Sequence, residues 1–286
     1  MNLKDYEIID FHTHPFGFGG ENICSHAAHC DMSPENIVRD MKAAGVSKIC
    51  GSVLRRRSVM ISQGADQSIT EWDAVMESNA SMLKLKELLG DFYVPGMMVH
   101  PDFVDKSCAE IERMYSLGVR LIGELVPYMQ GWNDYSCDGF SQILDFATEK
   151  NMIVSLHSMG EDEMDRMVQK HPDTKFVFAH PGEYGNVIRH FKRLKMSENC
   201  YIDLSGYGIF RHGMLRALID EVGIERVIFG SDYPTCNPYM YVGGVLLDPL
   251  ISDEEKEAIF AGNIRKLYKS VNKNIWRGAP AGKVKD

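Results

Sequence analysis

Short apolar runs rich in β-branched and aromatic residues recur along the chain between longer stretches of helical period, and the alternation predicts eight strand–helix pairs. The expected strands are residues 7–14 (EIIDFHTH), 46–54, 92–101, 119–127, 152–159, 175–182, 200–206 and 226–232. Helices are expected at 34–44, 72–89, 105–117, 139–150, 161–170, 184–195, 209–222 and 253–269. Ser33 is the expected N-cap of the first helix and Gly45 its stop. The second helix carries Val75, Leu83, Leu85 and Leu88 on a broad apolar face and ends at Gly90. Nearly continuous apolar strands that alternate with helices imply a parallel sheet covered on its outer faces. Eight repeats within 286 residues favour closure into a (β/α)₈ TIM barrel of the α/β class over an open, doubly wound sheet. Residues 1–286 therefore read as one barrel domain, with 272–286 as a C-terminal tail. The poorly patterned stretches 15–33 and 55–71 each follow a strand, on the side where barrel enzymes carry their active-site loops.

Charge narrows the possible partners. The formal net charge of −9 argues against a nucleic-acid or anionic-membrane binder, since both partners are polyanions. The expected partner is a small-molecule substrate, and a homodimer is expected on base rate alone. The opening MNLKDYEIIDFHTH has acidic residues where a signal peptide needs a basic start, and no apolar stretch approaches a membrane span. Seven scattered cysteines with no CxxC pair fit reduced thiols, so a cytoplasmic location is expected.

Most of the expected strands end in a residue that binds metal or moves protons. The first ends in Asp10-Phe11-His12-Thr13-His14. Alternation sets His12 and His14 side by side, and two such imidazoles suit a first-row divalent metal. Asp10 is expected on the same face, positioned to orient a histidine. Glu124, His157, His180 and Asp232 end the fourth, fifth, sixth and eighth strands. In a closed barrel these ends converge on one mouth, and imidazoles with one or two carboxylates form an open catalytic site. One such histidine alone is more often a loop or core residue; the coincidence of the set carries the reading.

These residues bear a resemblance. DFHTH (10–14), His157, Ala179-His180-Pro181-Gly182, GSDYP (230–234) and IFAGNIRKLY (259–268) resemble the amidohydrolase superfamily, in order and across almost the whole chain. The nearest branch is the amidohydrolase-related group that includes aminocarboxymuconate-semialdehyde decarboxylase and several lactonases. The resemblance implies that His12, His14, His157 and Asp232 hold a divalent metal. It also implies that the residue matching His180 carries protons or polarises substrate in one-metal relatives, and holds a second ion in two-metal relatives. Glu124 sits where two-metal branches have a bridging group, against the alternative of an ion pair with Arg120. The expected cofactor is one or two divalent ions, zinc first, with manganese or iron accepted by the same ligands.

The expected activity is hydrolysis of an ester, lactone, amide or related bond, with a metal-activated water, Asp232 moving the proton and His180 polarising the substrate or holding a second ion. The alternative is non-oxidative decarboxylation of a small carboxylic acid, for which Arg55, Arg56 and Arg57 are candidate carboxylate contacts. A non-catalytic barrel would have lost a strand-one histidine or Asp232, and both are kept. Further candidates are Cys24, His26, His29 and Cys30 in the loop after the first strand, read as incidental because their spacing matches no zinc motif. His100 is expected near the pocket, and Tyr128, Trp132 and Tyr135 are expected either against a planar substrate or covering the rim.

Overall fold

Apolar strands joined by helical crossovers can pair only side by side in parallel, and the chain does so in sequence order. The strands are β1 (Ile8–Thr13), β2 (Val46–Ser52), β3 (Tyr93–Met97), β4 (Leu121–Leu125), β5 (Ile153–His157), β6 (Lys175–Ala179), β7 (Cys200–Asp203) and β8 (Val227–Ile228). In this computed structural model, residues 3–15, 32–208 and 211–272 are described. Backbone bonds carry the sheet from its eighth strand back to its first: Phe11 N donates to Phe229 O at 3.0 Å, Asp232 N to His12 O at 2.8 Å and His14 N to Tyr233 O at 2.7 Å. The fold is the expected (β/α)₈ barrel, and all eight strands fall where the pattern put them.

The helices are α1 (Pro34–Ala43), α2 (Arg57–Ser62), α3 (Glu71–Leu89), α4 (Val104–Ser116), α5 (Asp138–Glu149), α6 (Glu161–Lys170), α7 (Tyr184–Leu194), α8 (Met214–Val222), α9 (Pro238–Leu246), α10 (Asp253–Glu257) and α11 (Asn263–Val271). Ser33 caps α1 as expected, its Oγ accepting from Asn36 N. On α3 the buried stripe is Val75, Ser78, Met82 and Leu85, whereas Leu88 is 58% exposed and lies off the core face. Two helices went unpredicted. α2 interrupts the stretch 55–71, and α9 is so uniformly apolar that it shows no helical stripe. The expected helix 253–269 is three segments, with a π turn at 258–262 between α10 and α11. Asn263 follows that turn, and its side-chain amide donates to Ile224 O and Val227 O, tying α11 to the entry of β8.

Strand residues such as Ile49, Val154, Phe176 and Ile202 pack with helix residues in one large buried cluster. A second cluster takes one or two residues from each of seven strands, Ile9, Cys50 and Leu121 among them, together with Ile264, Leu267 and Tyr268 of α11. No helix among the described residues is long and apolar enough to cross a membrane. The loop with Cys24, His26, His29 and Cys30, and the tail from 273 on, lie outside the described residues.

Candidate metal centre

Because parallel strands all point one way, their C-terminal residues share one end of the barrel, and there the expected side chains meet. His12 Nε2 and His14 Nε2 are 3.3 Å apart. Asp232 Oδ1 lies 3.6 Å from the first and 3.7 Å from the second. Ligand atoms about 2.1 Å from a tetrahedral ion stand about 3.4 Å from one another, so this trio has the spacing of a ligand set. Proton placement agrees. His12 Nδ1 donates to Asp203 Oδ2 at 2.9 Å and His14 Nδ1 to the Ser52 carbonyl at 3.3 Å, which turns both Nε2 atoms towards the same space. Imidazole nitrogens and a carboxylate oxygen at that spacing are the donor set a first-row divalent ion takes, so the residues present fit such an ion.

Glu124 stands at the centre of the imidazoles. Its Oε2 is 2.9 Å from His14 Nε2 and 3.1 Å from His12 Nε2, while its Oε1 is 3.1 Å from His157 Nδ1 and 3.4 Å from His180 Nε2. His157 therefore groups with Glu124 and His180, and not with the trio of His12, His14 and Asp232. An ion pair between Glu124 and Arg120 is ruled out, because Arg120 donates to the Tyr115 and Val119 carbonyls before β4 begins.

Electrostatics follow from crowding ionisable groups in a buried place. Burial alone would lower His12, but the carboxylates of Glu124 and Asp203 outweigh it and hold the imidazole well above its ordinary value. Burial would raise Glu124; the His12 charge and three imidazole contacts hold it well below the carboxylate range instead. His180 follows the same balance, burial opposing and Glu124 prevailing, and is raised. Burial lifts Asp10 to about 7.

Two of these residues also hold unusual backbone. His180 and Asp232 have φ of 67° and 61°, a left-handed conformation that non-glycine residues adopt at a cost. Such strain persists where the surroundings fix it, and both side chains line the cavity beyond the donors.

That cavity has a volume of about 580 Å³. Tyr128, Met129, Val126, Tyr207 and Tyr241 supply its apolar wall, and Ser158, Glu183, Asn186 and Thr235 its polar positions. Tyr128 sets its ring edge-on to His157 at 5.4 Å. Its phenol is raised by burial and by the Glu124 and Asp232 charges, so it keeps its proton at neutral pH. No lysine or arginine lines the cavity among the described residues.

Several expected neighbours lie elsewhere. Asp10 Oδ1 accepts from the backbone N of His12 and of Ser231, not from an imidazole. The register of β1 shifts between Asp10 and Thr13, so strict alternation does not carry Asp10 onto the histidine face. The acid that orients His12 is Asp203, the last residue of β7. His100 is buried away from the cavity, its Nε2 donating to Gln130 O at 2.9 Å. Trp132 and Tyr135 are buried in the core, and the Tyr135 hydroxyl donates to His157 O at 2.8 Å. Arg57 donates to the Ile69 and Gln67 carbonyls, and none of Arg55, Arg56 and Arg57 lines the cavity.

Comparison with known proteins agrees with the geometry. No curated protein matches the chain by sequence. Solved structures of the same fold cover nearly all of it. One is an uncharacterised TIM-barrel protein from Bordetella bronchiseptica, at 19% identity over 93% of this chain and 99% of that one, with a TM-score of 0.69. Another is a dihydroxybenzoic acid decarboxylase from a Polaromonas species, with bound manganese and the inhibitor 2-nitroresorcinol, at 15%, 92% and 97%, with a TM-score of 0.65. A third is a candidate 2-pyrone-4,6-dicarboxylic acid hydrolase from Pseudomonas putida, at 20%, 94% and 99%, with a TM-score of 0.63. At these identities the likeness is one of fold. The family model described as Amidohydrolase matches residues 9–269, and the chain belongs to that family.

Proposed function

We propose that the protein is a metal-dependent hydrolase of small, uncharged esters, lactones or amides. The observation that carries this reading is the Glu124 carboxylate, in contact with four imidazoles that fall into two groups. His12, His14 and Asp232 would hold one divalent ion, and His157 and His180 a second, with Glu124 shared between them. When bound, such an ion supplies a Lewis acid and lowers the pKa of a water towards ~7. Asp232 takes a proton from the attacking water as its oxygen bonds to the substrate carbonyl carbon, and returns that proton to the leaving oxygen or nitrogen as the scissile bond breaks. Tyr128 donates its phenolic hydrogen to the bound substrate, and the rings of Tyr128 and Tyr207 pack on its apolar body. Among the described residues the wall has no lysine or arginine, which favours a substrate with no free carboxylate of its own.

The second reading is a non-oxidative decarboxylase, favoured by the manganese-bearing decarboxylase that shares the fold. The two are separated by assaying protein reconstituted with zinc or manganese against neutral lactones and aryl esters on one side and hydroxybenzoates on the other. Acid release from the neutral set supports hydrolysis; carbon dioxide from the acids with an inert neutral set overturns it. Elemental analysis of the protein and of Glu124→Gln tests the site itself. A fall from two ions to one is the expected result, and an unchanged count removes Glu124 from the ligands.

A further inference from the structure

The segment after β7, Asp203-Leu204-Ser205-Gly206, reaches both groups of imidazoles at once. Ser205 Oγ lies 3.0 Å from His12 Nδ1 and 3.0 Å from His180 Nδ1, and it is also in close contact with Asp203 Oδ1. A hydroxyl has one hydrogen to give. Asp203 is already an acceptor on both oxygens, its Oδ1 taking the backbone N–H of Ser205 at 2.9 Å and its Oδ2 facing His12 Nδ1 at 2.9 Å. The Ser205 hydrogen therefore goes to Asp203, and the Ser205 oxygen is left facing two imidazole nitrogens with lone pairs alone. Each nitrogen must then present an N–H to it. His12 Nδ1 shares its hydrogen between Ser205 and Asp203 Oδ2; His180 Nδ1 gives its hydrogen to Ser205.

Gly206 makes the approach possible. Its φ is 64°, and a Cβ built on it would sit 2.2 Å from His180 Nδ1, a distance no side chain tolerates. The backbone of this turn therefore lies closer to the His180 ring than any residue with a side chain would allow.

We propose that Ser205 is a positioning residue: with Asp203 it fixes a hydrogen of His180 on Nδ1, so that Nε2, 3.4 Å from Glu124 Oε1, is the nitrogen that gives up its proton and offers an electron pair when an ion binds. His180 then acts as a ligand and not as a hydrogen-bond donor to substrate. One serine thereby couples the two halves of the donor set, through His12 on one side and His180 on the other. The metal consequence rests on the proposed hydrolase reading; the tautomer does not.

The test is long-range ¹H–¹⁵N spectroscopy of the histidine rings in the full chain, zinc-loaded and zinc-free, with His180→Gln to assign the signal. In the native protein His180 is expected to carry its hydrogen on Nδ1. In Ser205→Ala that signature mixes or inverts, and the affinity for the second zinc falls by roughly 10–100-fold, as losses of partners behind a ligand do. Ser205→Thr, which keeps the hydroxyl, restores both. A native His180 with its hydrogen on Nε2 alone overturns the proposal, as does a Ser205→Ala protein with the native signature. Should Ser205→Ala fail to fold, the native spectrum and Ser205→Thr still decide. If no zinc binds to the native protein, the metal reading fails while the tautomer assignment is still tested.

Discussion

Two buried ionic clusters lie on neighbouring parts of this barrel, and they are built to opposite rules. On the flank, Arg193 of α7 is fully buried and donates through Nε to Asp165 Oδ1 at 2.8 Å, through Nη2 to Glu161 and through Nη1 to His190 Nδ1 at 3.2 Å. Its guanidinium also lies 5.3 Å from the centre of the Phe178 ring. One cation meets two carboxylates, and each guanidinium nitrogen of Arg193 faces an acceptor, while His190 Nε2 has no hydrogen-bond partner among the described residues. At the mouth one carboxylate, Glu124, faces four imidazole nitrogens, and the other ring nitrogens of His12, His14 and His180 are turned outward to Asp203, Ser52 and Ser205. The flank cluster is closed by its own residues and fastens α6 to α7. The mouth cluster, in the proposed reading, is completed by a cation. Burial and charge are common to both; a fixed cation between carboxylates marks the fastening, and imidazoles gathered on one carboxylate mark the candidate site.

The largest expected effect follows from Asp232→Asn. It keeps the volume and removes the proton acceptor, so turnover of a neutral ester or lactone by zinc-loaded protein should fall by roughly 10³-fold, while far-UV circular dichroism stays native. Turnover within tenfold of native would take the proton step away from Asp232. On the flank the matching change is Arg193→Met. It strands Glu161 and Asp165 without their buried partner and should destabilise the fold by about 3–5 kcal/mol in urea denaturation, with metal content per folded chain unchanged. Loss of metal from folded Arg193→Met would mean that the two clusters are not independent.

The same contrast explains what the sequence could and could not disclose. Eight apolar runs alternating with helical stretches were enough for the barrel, because closure follows from strand count and parallel pairing. The histidines and acids at strand ends were legible for the same reason: direction along a parallel strand decides which end a residue occupies. Asp203 carried that signal too, an acid ending β7, but it had no neighbouring motif to mark it. Ser205 was invisible, since a serine after a strand ordinarily starts a turn, and only contact with His12 and His180 distinguishes it. Asp10 misled through alternation, which the register shift in β1 breaks. α9 was missed because PYMYVGGVL is apolar on every side, leaving no period to read.

Acid should expose the flank cluster through His190. Burial first, and the Arg193 charge next, push its imidazole down to about 3. The unfolded chain, with an ordinary histidine near 6.5, binds that proton at higher pH than the folded one does. His190 therefore contributes stability that is fully present above about pH 6.5 and is lost as pH falls towards 3, at about 1.4 kcal/mol per pH unit. His190→Gln keeps an acceptor for Arg193 and removes the titration. Between pH 6.5 and 5 the native protein should lose about 2 kcal/mol more than this variant in urea denaturation. Parallel pH curves for the two proteins would show that His190 is protonated in the folded state.

Arg189 provides the smallest effect and the sharpest control. It stands one helical turn before Arg193 and donates to Asp162 Oδ1 and Asp165 Oδ2, both at 2.6 Å, so on bond count it resembles its buried neighbour. Its side chain is 34% exposed, however, and Asp162 opposite is 73% exposed. Water already solvates most of that pair, and Asp165 keeps Arg193 when Arg189 is removed. Arg189→Gln should therefore change stability by less than about 1 kcal/mol, and by less still in 0.5 M salt, where exposed pairs are screened. A loss as large as that of Arg193→Met would mean that the number of bonds, and not the exclusion of water, decides what fastens α6 to α7. The distinction drawn between flank and mouth would then need a basis other than burial.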